Sequence, residues 1–295
     1  MMLTTKPVKL YLGAAGYCTH PEFLTLRGGS FRPVRFPAGF ACILHPDHGP
    51  ILLDTGYSSR FFEETARLPN ALYRHITPVV FREEDSAVRF LKQIGLVPSD
   101  VRYVILSHFH GDHIAGAKDF PEARFIYLPR AYDSVRSLGS IAAVKAGFLA
   151  GLLPDDFIQR SLPVNDPAKR WADMSETTGV KTPSGFPWEE VYDLFGDGSL
   201  LGVEVSGHAE GMMGLLLRTE QHDYFLCADA VWSSRAFREQ RRPHALAGII
   251  MSDRQEYRQN FDKLVHLHQQ FPGLRIVPSH CQEALSAWGT EGTER

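Results

Sequence analysis

The chain lacks most of the features that would settle its class at once. Its four cysteines, Cys18, Cys42, Cys227 and Cys281, lie far apart and form no C-x-x-C pair. Reduced thiols of a cytosolic protein are therefore expected, not a disulfide framework. No apolar run approaches the roughly 20 residues that cross a bilayer. The first sixteen residues carry Lys6 and Lys9 and no uninterrupted apolar core. A secretory signal is not expected there, and a cytoplasmic location follows. No block of Lys and Arg occurs, and the formal net charge is -3. Such a chain offers no basic field to draw in nucleic acid or an anionic membrane. A G-x-S-x-G elbow is also missing, so nothing suggests a serine nucleophile.

What remains is an ordinary globular composition. Hydrophobic residues make up 44% and charged residues 22% of 295 positions. A chain of that size buries about three quarters of its unfolded surface and needs no staples. Residues 38 to 55 read as a β-hairpin, with His45-Pro-Asp-His-Gly-Pro50 as the turn. Asp85 is placed to cap a helix carrying Val88, Leu91 and Ile94, which Gly95 ends. Val101 to Leu106 reads as a buried strand, and Arg124 to Leu128 as the next. Ala131 to Leu153 has Ile141, Val144, Phe148 and Leu152 at helical intervals. Prolines and aromatics then follow up to about Trp188. Residues 130–190 thus read as a long insertion, a type of segment that often walls a binding site. Strands resume at Val191, Leu200, Gly214 and Tyr224. Ser252-x-x-Gln255 resembles a capping box before a helix, and Arg275 to Pro278 is the last strand.

Directly after the buried strand stands Ser107-His-Phe-His-Gly-Asp-His113. Three imidazoles and a carboxylate at one strand end suit a metal: zinc first, manganese or iron next. Two ions are expected. His108, His110 and His208 would form one set, Asp112, His113 and His280 the other, with Asp229 between them. Two such ions about 3.5–4 Å apart can share a hydroxide and polarise a substrate oxygen. Hydrolysis would then need no protein nucleophile.

The order His108-Phe-His-Gly-Asp-His113, Gly207-His208, Ala228-Asp229 and Ser279-His280 resembles the metallo-β-lactamase superfamily. Leu52-Leu-Asp-Thr-Gly56 matches an earlier motif of that family. The resemblance covers roughly residues 35 to 285. It implies an α+β chain folded as a four-layer αβ/βα sandwich, a single domain over 1–295 with a helical insertion near the active site. It also implies that Asp54 supports metal ligands from behind. His110 stands where the redox branch of the fold carries a carboxylate, so that branch is disfavoured.

Within the family the chain looks most like the N-acyl homoserine lactone lactonases, which quench bacterial quorum signals. Pro37-Ala-Gly-Phe40, Phe225-Leu-Cys-Ala-Asp-Ala230 and Ile276-Val-Pro-Ser-His280 carry that likeness. Those enzymes place a Tyr three residues after the bridging Asp, where this chain has Trp232. An indole N–H donates a hydrogen bond but moves no proton. Met212 likewise replaces the last His of the family's Gly-His-Thr-x-Gly-His pattern. The resemblance thus implies a dinuclear hydrolase of a small lactone or ester, with Asp112, Asp229 and Trp232 as catalytic candidates. Phe109, Phe148, Phe157, Phe186 and Trp188 are candidate pocket residues. A monomer or homodimer is expected. A thioesterase, as in glyoxalase II, or a phosphodiesterase would use the same ligands. A metal-binding sensor with weak turnover is the reading from another class.

Overall fold

The computed structural model describes residues 6–165, 169–170 and 184–288, the pair 169–170 by backbone alone. The insertion residues 166–168 and 171–183, with Pro167 and Pro183, lie outside the described residues.

Two sheets form. The first holds β1 (Lys9–Pro21), β2 (Pro33–His45), β3 (Gly49–Leu53), β4 (Val79–Val80), β5 (Tyr103–Ile105), β6 (Arg124–Tyr127) and β7 (Ser161–Pro163), in the order β4-β1-β2-β3-β5-β6-β7. The second holds β8 (Lys169–Arg170), β9 (Glu190–Asp193), β10 (Leu200–Glu204), β11 (Met213–Arg218), β12 (Asp223–Leu226) and β13 (Arg275–Val277), in the order β13-β12-β11-β10-β9-β8.

The central strands are apolar except at their ends because both faces are covered, and successive side chains go to opposite faces. In the first sheet Ile43, Ile51, Leu53, Ile105 and Ile126 meet Leu200, Leu215, Leu217, Leu226 and Val277 of the second. The alternate residues Phe40, Cys42, Leu52, Val104 and Phe125 face outward, onto Phe61, Leu91, Ile114 and Phe120. On the other outer face Leu201, Val203, Leu216 and Phe225 pack on the helix Arg254–Gln270. That helix turns Tyr257, Phe261, Leu264 and Leu267 inward, at the spacing its sequence predicts. The result is the four-layer αβ/βα sandwich.

Strands β3, β5, β6 and β7 run parallel, as do β12 and β13. The segments that leave the C-terminal ends of β3, β5, β12 and β13 meet at one edge of the sandwich. Two backbone bonds tie the sheets there, Met213 N–H to Ser107 O at 2.9 Å and Gly39 N–H to Ser279 O at 3.1 Å.

The hairpin forms as predicted, with β2 and β3 in antiparallel register around residues 46–48. Several expectations need correction. β1, thirteen residues long, has no counterpart in the sequence reading; small residues Gly13, Ala14, Ala15 and Gly16 interrupt its apolar alternation. The helix expected over 131–153 is broken into Pro129–Asp133, Ser140–Lys145 and a 3-10 turn at Ala150–Leu152. The helix Ala87–Gln93 is capped by Ser86, whose hydroxyl accepts from Arg89 N–H, and not by Asp85. Asp253, not Ser252, caps the long helix by accepting from Gln255 and Glu256. All four cysteines are buried and free. Among the described residues no helix is long and apolar enough to cross a membrane.

Candidate metal centre

The loop after β5 turns at once into a short helix, Gly111–Ile114. His108 and His110 therefore leave the strand end, while Asp112 and His113 leave the helix. The remaining three side chains arrive from the second sheet. His208 follows β10, Asp229 follows β12 and His280 follows β13. Among the described residues, two of the three non-glycine positions with positive φ stand here, Asp54 at 59° and Ala228, next to Asp229, at 47°. Such backbone costs about 1–3 kcal/mol per residue and persists only where the surroundings enforce it.

Potential ligand atoms gather in three overlapping groups, each within 4.8 Å: His108 with His110 and His208; His108 with His113 and Asp229; Asp112 with His113 and His280. His110 Nδ1 faces His208 Nε2 at 3.1 Å. Asp229 Oδ2 lies 2.8 Å from His280 Nε2 and 3.3 Å from His208 Nε2. Its Oδ1 lies 3.5 Å from His113 Nε2. Asp112 Oδ2 stands 3.5 Å from His280 Nε2 and 3.8 Å from His113 Nε2. Ligand atoms around a tetrahedral zinc with bonds of about 2.0–2.1 Å lie about 3.3 Å apart. The observed spacings straddle that value. Three buried atoms that face the cluster, His108 Nε2, His113 Nε2 and Asp229 Oδ1, have no hydrogen bond. Each such atom costs about 1–3 kcal/mol unless something binds it. The donor set and its spacing fit two divalent ions of the zinc class.

Behind this cluster the tautomers are set by hydrogen bonds. Asp54 Oδ1 accepts from Ser107 N–H at 2.8 Å; its Oδ2 accepts from Ser107 Oγ at 2.7 Å and from His113 Nδ1 at 2.8 Å. The Ser107 hydroxyl has one proton and gives it to the carboxylate. His108 Nδ1, 3.0 Å from that hydroxyl, must then be the donor. One carboxylate thereby turns Nε2 of both His108 and His113 toward the cluster. His280 Nδ1 donates to Pro37 O at 2.7 Å, with the same effect on its ring. Ser107 and Pro37 stand inside motifs that the sequence reading quotes, but their supporting bonds come from contacts that it does not show.

Burial, aided by the neighbouring His113 and His110, holds His108 well below the usual imidazole range. Burial and His208 push His110 down to about 3, and burial lowers His208. These three rings are neutral and ready to donate lone pairs. The other half is charged. Burial disfavours the His113 cation, but Asp54, Asp112 and Asp229 outweigh it and raise the ring well above its usual value. His280 is likewise raised to about 8 against burial, chiefly by Asp229. Asp229 is held well below the usual carboxylate range by His280 and His113, although burial opposes this. Metal entering that half displaces protons.

Asp54→Asn is expected to weaken metal binding about 10–100-fold, the usual cost of losing a partner behind a ligand. Asparagine tolerates the positive φ at this position, so the change removes acceptor capacity and leaves the backbone in place. A chelator-competition titration checks it; unchanged affinity would remove Asp54 from this role.

A cavity of about 580 Å³ opens beside His110 and His208. Phe109, Val135 and Leu138 line one side, Ile249, Ile250 and Met251 the other. Of the five aromatic residues expected at a pocket, only Phe109 lines it. Phe148 and Phe157 are buried in the core outside the first sheet. Phe186 and Trp188 pack outside the second sheet, Trp188 donating to Asn260 Oδ1 at 3.2 Å. The stretch 249–251, absent from the sequence reading, has no helical or strand period to mark it. Trp232 is buried with its Nε1 on Asp229 Oδ2 at 3.2 Å and its ring edge-on to His208. Its N–H is directed to the carboxylate.

The loop bearing His208 is held from two directions. Ser252 N–H and Asp253 N–H donate to His208 O and Gly207 O at 3.1 and 3.0 Å. Arg130 pairs with Glu210 and Glu204.

Residues 36–280 match the family model of the metallo-β-lactamase superfamily. A curated relative named N-acyl homoserine lactonase AttM, from Azorhizobium caulinodans, is 27% identical over 88% of this chain and 88% of its own length. A probable metallo-hydrolase of Mycobacterium tuberculosis is 27% identical over 81% of this chain and 73% of its own. Among solved structures, an N-acyl homoserine lactone hydrolase with the product N-hexanoyl-L-homoserine at its catalytic metal centre superposes with a TM-score of 0.67 at 18% identity, covering 96% of each chain. The dizinc quorum-quenching lactonase AidC superposes at 0.58 and 14% identity, over 95% of this chain and 90% of its own. With the motifs in order and the fold in common, the chain belongs to the metallo-β-lactamase superfamily, as one of its metallo-hydrolases.

Proposed function

We propose that this chain is a dinuclear metal-dependent hydrolase that opens a lactone or a related carboxylic ester. The observation that carries the reading is Asp229, a single buried carboxylate whose Oδ2 lies 3.3 Å from His208 Nε2 and 2.8 Å from His280 Nε2, and whose Oδ1 lies 3.5 Å from His113 Nε2, within reach of both ligand sets. His108, His110 and His208 would hold one ion, Asp112, His113 and His280 the second, and Asp229 both. Zinc suits this donor set best; manganese and iron are the alternatives. Bound there, such ions supply a nucleophilic hydroxide at neutral pH and polarise the carbonyl.

The protein's own part is orientation and exclusion. Asp54, Ser107 and Pro37 fix which ring nitrogen His108, His113 and His280 present. Trp232 donates to Asp229 and so biases which lone pairs of that carboxylate face the ions. The cavity walls, Val135 and Leu138 against Ile249, Ile250 and Met251, suit an acyl chain laid away from His110 and His208. The segment 130–146 contributes one wall, so we assign the insertion to the same single domain as the metal centre. Arg130, a cation of the cavity wall, is occupied by Glu204 and Glu210. The names of the relatives make acyl-homoserine lactones the first substrates to test.

Zinc-, manganese- and iron-loaded protein should be assayed against acyl-homoserine lactones of increasing chain length, aryl esters, thioesters and phosphodiesters. Ring opening is expected, with kcat/KM rising up to about fourfold per added methylene while the cavity fills. Two bound ions with no turnover of any substrate would favour the sensor reading. Preference for a thioester or phosphodiester would move the assignment to that bond.

A further inference from the structure

We infer that Gly147 is a positioning residue of the metal centre: its bare backbone grips the His110 ring and the loop that follows. This rests on the reading of the His/Asp cluster as a dinuclear site.

Gly147 ends the helix Ser140–Lys145, which by itself buries no residue. The segment is anchored just beyond it, where Phe148, Leu149 and Leu152 enter the core. Gly147 sits at φ +69°, and a methyl group on its α-carbon would come within 2.7 Å of His110 Cδ2 and 3.1 Å of Cγ and Nε2. The ring edge bearing Cδ2 thus lies against this α-carbon, while the Nδ1 edge faces His208 Nε2 at 3.1 Å. The Gly147 carbonyl also accepts from Gly111 N–H at 2.9 Å. On the other side of the loop, a methyl on Gly111 would meet Tyr73 Cε1 at 3.2 Å. The Tyr73 hydroxyl donates to Asp112 Oδ1 at 3.5 Å. The run His110-Gly111-Asp112, which offers a ligand to each half of the centre, is therefore held between Gly147 and Tyr73. Any side chain at 147 must push the His110 ring off its place.

A glycine with positive φ after a helix is common for backbone reasons alone. Gly95 separates the two explanations. It follows the helix Ala87–Gln93 at φ +80°, and a methyl there would meet nothing within 4 Å. Gly95→Ala carries the same backbone strain without touching the site.

Metal-stripped wild type, Gly147→Ala and Gly95→Ala should be titrated with zinc against a competing chelator. Wild type and Gly95→Ala are expected to hold two ions with equal affinity. Gly147→Ala should bind one of the two at least about tenfold more weakly, within the range for disturbed ligand support. Equal binding by both variants, whether normal or weakened, would overturn the inference. If Gly147→Ala does not fold, nitrogen NMR of the zinc-loaded wild type decides. His110 should ligate through Nδ1 with its proton on Nε2, and ligation through Nε2 would overturn the clamp. Wild type holding fewer than two ions would instead defeat the dinuclear reading, and this inference with it.

Discussion

Stripping the protein of metal is expected to abolish lactone and ester hydrolysis, and zinc is expected to restore it. Three of the four cysteines are poor nucleophiles as the protein folds. The Cys18, Cys42 and Cys227 thiols are pushed up by burial, far from the thiolate form at neutral pH. In the proposed mechanism the attacking water is activated at the His/Asp cluster. Stability should fall as well. His108 Nε2, His113 Nε2 and Asp229 Oδ1 are buried without hydrogen bonds, so an ion that satisfies them binds the folded state alone. At a hundred times its dissociation constant such a ligand adds about 2.7 kcal/mol per site. For a chain near this size each kcal/mol is worth roughly 2–4 °C in Tm. Dialysis against a chelator, followed by assay and thermal melting with and without added zinc, tests both effects. Full turnover in protein whose metal content is verified as nil would reject the mechanism.

Asp229→Asn should lower kcat/KM more than about a hundredfold, beyond the 10–100-fold typical of residues that only support ligands. Asparagine keeps the shape but loses the charge and one acceptor. In the native site both oxygens are in use: Oδ2 within 2.8 Å of His280 Nε2 and 3.2 Å of Trp232 Nε1, Oδ1 at 3.5 Å from His113 Nε2. The amide keeps one acceptor oxygen, so one of the two oxygen positions becomes an N–H donor aimed at a histidine of the centre. Metal content should drop below two ions per chain in the same variant. A variant with two ions and near-normal kcat/KM would show that Asp229 does not join the halves.

Much of the site was legible because its chemistry is dense. His108 to His113 puts costly polar groups at a strand end, and few structural needs explain that. His208, Asp229 and His280 each follow an apolar strand, so their places at one edge followed from the strand pattern and the family likeness. The supporting bonds were not legible. Ser107, Pro37, Tyr73 and Gly147 matter through contacts that reach from 36 to 243 residues along the sequence, and their residue types are common.

The cavity shows the same limit. Phe148, Phe157, Phe186 and Trp188 are aromatic and lie in the insertion, which suggested a pocket wall. Burial decided otherwise, because large rings gain most from the core and the outer sheet face had room for them. Ile249, Ile250 and Met251 took the wall position instead. They sit in a short irregular stretch where periodicity carries no information.

The apolar strands and the family likeness pointed to the layers and to a metal-binding edge. Doubly apolar strands call for two covered faces, and clustered imidazoles and carboxylates at strand ends suit a cation. Only the tertiary structure decided which atoms face that cation and what surrounds it. Ring orientation, tautomer and cavity shape arise from hydrogen bonds and contacts between segments remote in the chain, and local pattern does not encode those distances.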